Sequence, residues 1–319
     1  MASKVILRVM PGTIMTREEF AKFAPPRSIA LDGFLDCGPY FDLGLMHQNF
    51  DHHDGVYRPA TMSTAMQVMF AIKGGMMDFF TAGGTKDIHV FINDPDQDTA
   101  LATYLIQNYE RFDGVQSIAV LSRLLNWCDE LDITAGAFPR RLNDQLVRQH
   151  VWVFSPYNSI RKSGALANAI FRKDESVLRN CIEAVHTRIG ALIMGKAEEQ
   201  ELDTRHEILY DGEVFKVVNE VGGTDARTYL FSRGMKAYVS IVAERSDGRR
   251  VVSVGRVSEY ITRFPVQKIV AAYNKLEGLE DSPHKWGGTT LISASSRMNG
   301  TGLSIEQLRD TALDIVKAS

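Results

Sequence analysis

Between residues 49 and 55 the chain reads Asn-Phe-Asp-His-His-Asp-Gly, which places two imidazoles and two carboxylates in succession at Asp51, His52, His53 and Asp54, behind an apolar run. Groups of this kind are costly to bury unless they pair with one another or hold a cation, because a desolvated charge without a partner costs several kcal/mol. A metal ion accounts for all four at once. Two further stretches supply carboxylates: 36–42, where Asp36 ends a strand-like run, and Asn93-Asp94-Pro95-Asp96-Gln97-Asp98-Thr99, where Asp94, Asp96 and Asp98 follow another. Mixed imidazole and carboxylate ligands suit Mn2+, Mg2+ or Fe2+, and zinc less distinctively. Two such ions about 3.5–4 Å apart would clamp the attacking and leaving oxygens of a phosphoryl displacement and acidify a water between them.

Phe50-Asp51-His52-His53, followed by Ser63-Thr64-Ala65 at the head of an amphipathic helix, resembles the Asp-His-His signature of the DHH phosphoesterases. Residues 35–55, LDCGPYFDLGLMHQNFDHHDG, are similar to the corresponding stretch of that superfamily's melanocyte-proliferating-gene exonuclease-like branch. The specific match covers about residues 31–70. The resemblance implies a bridging carboxylate at Asp36, a metal ligand at His52, and at His53 a group that contacts the scissile phosphate or helps the leaving group. Asp51 is then a ligand or the carboxylate that orients His52. The family's usual first motif, a strand ending in histidine and paired aspartates, has no counterpart in residues 1–30, which contain no histidine. Two explanations stay open. Either Asp94, Asp96 and Asp98 have taken over as relocated metal ligands, with Asp129 and Asp132 available as the last carboxylate, or Asp98-Thr99 matches the family's later Asp-Thr motif. Relocation requires the strand at 88–93 to lie beside the strand that ends at Asp51, so that both deliver carboxylates to one crevice at the carboxyl ends of the sheet.

Near the C-terminus, Gly287 and Gly288 and the run Ser293 to Gly302 form two small-residue clusters around a short strand. Glycines let backbone N–H groups approach an anion, and Ser295, Ser296 and Arg297 add hydroxyl and guanidinium donors for a substrate phosphate. The segment resembles the glycine-rich substrate-binding stretch of the DHH-associated C-terminal domain, with Thr289 where that family carries histidine.

Elements that could position these groups alternate along the first half. Apolar runs at 5–10, 28–36, 44–51 and 88–93 are interleaved with helical patterns at 63–73 and 99–109, and further helices are expected at 117–131, 139–150 and 176–199. That rhythm predicts an α/β fold, a mainly parallel sheet flanked by helices. The charged segment 195–206 marks a boundary, giving a metal-binding domain over 1–200 and a smaller C-terminal α/β substrate domain over 201–319. In the latter, two strand-like runs flank Ser246-Asp247-Gly248, and Ser304 with Gln307 has capping-box spacing. The methionines at 62, 66, 69, 76 and 77 suit core packing.

With 36 Lys+Arg against 39 Asp+Glu the net charge is −3, so the bulk surface is no trap for nucleic acid, while 45% hydrophobic residues exclude a disordered chain. Cys37, Cys128 and Cys181 are too few for a disulfide framework, the opening apolar run is too short for a secretory leader, and no stretch nears a membrane span; a cytoplasmic protein without a membrane partner is expected. The leading expectation is a phosphohydrolase or phosphodiesterase using two Mn2+ or Mg2+ ions and metal-activated water on a nucleotide, an oligonucleotide end (short single-stranded nucleic acid) or another phosphoester. The alternative is a catalytically degenerate nucleotide- or phosphate-binding regulator. Assembly, including as a homo-oligomer, is the third reading.

Overall fold

Strands at Val5–Val9 (β1), Ser28–Leu31 (β2), Tyr40–Asp42 (β3), His47–Phe50 (β4) and Ile88–Ile92 (β5) form one sheet in the order β1-β5-β2-β4-β3. All neighbours in it are parallel except β3, which pairs antiparallel with β4 at the edge. The computed structural model describes residues 4–53, 55–82, 87–296 and 299–319, so Asp54 and Arg297 lie outside the described residues. The chain divides into two units, one of 1–133 with 145–200 and one of 134–144 with 201–319.

In the first unit the period-two alternation of the strands sends residues to both faces of the sheet. Ile29, Leu31, Val90 and Ile92 enter a large core with Thr64–Lys73 (α2), Gln97–Gln107 (α4), Ala119–Ile133 (α5), Gln145–Lys162 (α6) and Glu175–Ile193 (α8). Short helices at Met76–Thr81 (α3) and Ala165–Arg172 (α7) join these elements. Ala30 and Phe91 face the other way, onto Phe20 of Arg17–Phe23 (α1). With both faces covered, all four residues of β2 are buried, as the central strand of a parallel sheet must be.

Three expectations change. The helix expected over 139–150 begins at Gln145 and runs on to Lys162 with Pro156 inside it, because residues 134–144 leave the first unit and join the second. The helix expected to reach 199 stops at Ile193, where Gly195 adopts φ +69° and its N–H and that of Lys196 cap the carbonyls of Leu192 and Ala191. The strand Ile88–Ile92 does not lie directly beside β4; β2 pairs with both and sits between them.

The second unit has a six-stranded sheet built from Glu207–Asp211 (β6), Lys216–Asn219 (β7), Ala237–Glu244 (β8), Arg250–Arg256 (β9), Gly287–Gly288 (β10) and Ile292–Ala294 (β11), in the order β10-β11-β9-β8-β7-β6. Its pairings are antiparallel except β7 with β8. Val266–Glu277 (α10) and Ile305–Ala318 (α11) cover one face, while Thr224–Ser232 (α9) lies over the other with Ala137. Ser304 and Gln307 form the capping box that their spacing suggests. Among the described residues no helix is long and apolar enough to cross a membrane.

One buried ion pair ties this unit together. The Arg227 guanidinium donates to both oxygens of Glu220 at 2.8 and 2.9 Å and to the carbonyl of Ala135 at 3.2 Å, and it lies over the ring of Tyr238. Removing one partner strands a buried charge. Arg227→Ala is expected to cost about 3–5 kcal/mol, measured by urea unfolding. The double variant Arg227→Met with Glu220→Leu should recover a large part of that loss.

Candidate metal centre

Three adjacent parallel strands deliver the chemistry. β2 is followed by Asp32, β4 by Asp51-His52-His53, and β5 by a loop with Asp94 and Asp96 that leads into Asp98 in the first turn of α4, so all three approach one crevice at the carboxyl ends of the sheet.

Asp32 is the residue that the sequence reading missed. The apolar run 28–36 reads as one strand ending at Asp36, but the strand stops at Leu31. Asp32 and Gly33 then take positive φ values of 52° and 70°, and the N–H of Phe34 donates to the carbonyl of Leu31 at 3.2 Å, closing a tight turn. The Asp-Gly dipeptide was the available signal, because a turn with two positive φ values favours that pair. Asp32 is buried at 8% exposure, whereas Asp36 is exposed and lies outside the groups assembled here. The Thr64 hydroxyl donates to Asp32 Oδ1 at 3.1 Å and the Thr99 hydroxyl to Oδ2 at 3.2 Å.

His52 is fully buried, and its Nε2 faces three carboxylates: Asp132 Oδ2 at 2.7 Å, Asp32 Oδ1 at 3.5 Å and Asp98 Oδ2 at 3.8 Å. His53 lies beside it with the side chain 45% exposed, its Nδ1 at 2.8 Å from Asp51 Oδ1 and 3.5 Å from Asp32 Oδ1. Asp51 Oδ1 also accepts the backbone N–H groups of His52 and His53, while its buried Oδ2 has no hydrogen-bond donor among the described residues. The first of these contacts fixes the turn that separates the two imidazoles.

The N-terminus of α2 holds two more carboxylates. The N–H groups of Thr64 and Ala65 donate to Asp98 at 2.6 and 2.9 Å, and that of Ser63 donates to Asp129 at 2.7 Å. Unsatisfied amides and the positive end of a helix favour anions there. This explains the Ser63-Thr64-Ala65 helix start. Asp98 thus caps the start of α2, while its own helix α4 is capped by Asp96, whose side chain accepts from the N–H of Thr99. Asp129 is bound to the helix start, and Asp132 is the α5 carboxylate that faces His52.

The protonation of the cluster records its charge. Burial pulls the His52 imidazole down, but Asp132, and then Asp32, more than reverse this and hold it up at about 11. Burial would raise Asp32, yet its bonds to His52 and Thr64 and the charges of both histidines bring it well below the usual carboxylate range. Asp98 is pushed well above that range by burial and by the charges of Asp132 and Asp32, with His52 and the Ala65 amide opposing. Asp96 is pushed up likewise, by loss of solvent and then by Asp32 and Asp94.

Among the described residues two groups bring ligand atoms close enough to share a metal ion: Asp32, His52 and His53, and His52, Asp98 and Asp132. Asp51 touches the first group through His53. Asp94 and Asp96 are half-buried and belong to neither. His47 is a packing residue, bonded through Nε2 to the carbonyl of Pro25 and set edge-on to Phe20. Gly287, Gly288, Ser295 and Ser296 lie in the second unit. Gly287 and Gly288 pair with Ala294 and Ser293, and a Cβ on Gly288 would meet the Ile292 carbonyl at 2.4 Å. Ser295 is buried, its hydroxyl accepting from the N–H of Val252, and Ser296 accepts from the N–H of Asn299.

No protein-family model matches the chain, and no curated protein matches it. Among solved structures it is similar to an exopolyphosphatase-related protein from Bacteroides fragilis, over 94% of both chains at 11% identity and a TM-score of 0.29. At that level the likeness carries no argument, and the reading of the site rests on its geometry.

Binding of a divalent cation must displace the protons that His52 and Asp98 hold above their ordinary values. Mn2+ affinity should therefore rise with pH, by about tenfold per unit for each proton displaced. Calorimetric titrations between about pH 6 and 8, in buffers of differing ionisation enthalpy, measure both the slope and the proton release. A flat profile would exclude these two groups as ligands.

Proposed function

We propose that the protein is a divalent-metal-dependent phosphoester hydrolase acting on a nucleotide, an oligonucleotide end or another phosphoester, with Mn2+ or Mg2+ as its cation. One observation carries this reading: carboxylates from three separate segments, Asp32, Asp98 and Asp132, converge on a buried histidine, His52. The buried Asp51 oxygen without a donor supports it, because such an atom is costly unless a cation or proton meets it. Oxygen-rich sites with imidazole suit these metals. The Asp-His-His resemblance directs the reading toward phosphoesters.

Asp32, His52 and His53, with Asp98 and Asp132, are the residues that would hold the cation. When bound, it supplies a Lewis acid for phosphoryl oxygens and lowers the pKa of a water. The protein's own groups do the rest. Thr64 and Thr99 fix both oxygens of Asp32, so its orientation is set before any ligand arrives. Asp51 holds His53 by Nδ1, which leaves Nε2 of this half-exposed ring as the nitrogen that would meet a cation or a phosphoryl oxygen.

A second reading has its own observation. β1 is followed by Met10-Pro11-Gly12, none of which is a carboxylate, so the site would keep a ligand without turning it over, as a nucleotide- or phosphate-binding regulator. Assays with Mn2+ against bis(p-nitrophenyl) phosphate, a mononucleotide and a short single-stranded oligonucleotide separate the two.

His53→Ala is expected to lower kcat by about 10²-fold or more and to weaken Mn2+ binding as well, because His53 belongs to the Asp32 group. Asp32→Asn should lose both metal and turnover, and Asp36→Asn neither. Tight nucleotide binding with no turnover of any of the three substrates would establish the regulator instead.

A further inference from the structure

The residues around His52 include a cation of the chain's own. Arg58 opens a short 3-10 turn, Arg58–Ala60, and its side chain is only 11% exposed. Its Nε lies 3.5 Å from His52 Nδ1 and its Nη2 3.5 Å from His52 Nε2, so the guanidinium lies alongside the imidazole and spans both ring nitrogens. Nη2 donates to the backbone carbonyl of Asp132 at 3.2 Å and stands 4.0 Å from the Asp132 carboxylate. Arg58 is thus anchored on the Asp132 side of the cluster.

The two metal-capable groups differ in this respect. Asp32, His52 and His53 include the half-exposed ring of His53, and Asp51, whose buried Oδ2 lacks a donor among the described residues, adjoins them. In the group of His52, Asp98 and Asp132, both Asp98 oxygens already accept amides of α2, and Asp132 has Arg58 beside it. Arg58 lies against His52, which both sets share, but its contacts with a carboxylate residue of either set, among the described residues, are with Asp132. A fixed positive charge there disfavours a divalent ion at the Asp132 set more than at the Asp32 set, because Coulomb repulsion inside a protein is far less screened than in water. Guanidinium keeps its charge at every working pH, so this repulsion cannot be titrated away.

We propose that the Arg58 guanidinium is a built-in cation at the His52–Asp98–Asp132 group, so that the protein binds one divalent ion tightly, at Asp32–His52–His53, and admits a second only when Arg58 is removed or drawn away. This rests on the metal-centre reading above and sets its ion count. The site then works with one metal and one arginine rather than with a two-metal clamp, and Arg58 supplies the second positive charge beside a bound phosphoryl group.

The test counts ions without reference to activity. Chelator-treated wild type, Arg58→Met and Arg58→Lys are dialysed against Mn2+, the bound metal is measured by mass spectrometry, and spin coupling is read by electron paramagnetic resonance. Wild type and Arg58→Lys should hold about one magnetically isolated Mn2+ per chain, and Arg58→Met about two, with the exchange coupling expected of ions roughly 3.5–4 Å apart. Two ions in the wild type would overturn the proposal and leave the metal reading standing. One ion in Arg58→Met, with thermal unfolding matching wild type, would overturn it as well. Should Arg58→Met not fold, Arg58→Gln takes its place with the same two outcomes. No bound Mn2+ in any of them would overturn the metal centre itself.

Discussion

Buried negative charge at the ends of three parallel strands is the constraint around which the first unit is arranged. Asp32, Asp51, Asp98 and Asp132 stand around two histidines, and desolvated carboxylates this close repel one another strongly unless something compensates them. The chain compensates in three ways. Two threonine hydroxyls bind Asp32, helix amides bind Asp98, and His52 with Arg58 brings positive charge to Asp132. Within this cluster Asp32, His52 and His53, and likewise His52, Asp98 and Asp132, bring ligand atoms close enough that they could hold a metal ion.

The contrast with the second unit shows why this matters. There the buried pair of Arg227 and Glu220 is neutral in itself, with both carboxylate oxygens met by one guanidinium and Tyr238 stacked alongside. Such a pair needs nothing from outside. The cluster around His52 has more carboxylates than fixed cations, and its protons sit on His52 and Asp98 far above their ordinary ranges. The same negative charge that keeps protons on these groups attracts a cation, which has to compete with those protons.

Helix α2 is the element on which both halves of the arrangement depend. Its inner face, with Ala65, Val68 and Ile72 buried, belongs to the main core, while its first amides face the carboxylates. Packing therefore positions the anion-binding end, and an unsatisfied helix terminus becomes part of the site. Asp32 contributes in the same way from the sheet. It is held in the left-handed region by the turn that ends β2, a conformation that aspartate tolerates better than most side chains and that places its carboxylate between those of the neighbouring strands.

The sequence by itself determined that the protein is α/β, because apolar runs of strand length alternate with helical periodicity, and it marked Asp51, His52 and His53, because such residues in succession behind an apolar run have few bland explanations. It also carried the helix start at Ser63 and the capping box at Ser304, which depend on residues only three positions apart. What it could not determine was which carboxylates meet those histidines. Asp98 lies 46 positions from His52 and Asp132 lies 80, and whether either reaches it depends on strand order and on where α5 ends. The choice of Asp32 over Asp36 turned on whether a strand stopped at Leu31, which hydrogen bonding with β4 and β5 settles and local sequence does not. Local spacing fixes which groups a single segment presents, but contact between segments is decided by register and packing, and those exist only in the folded chain.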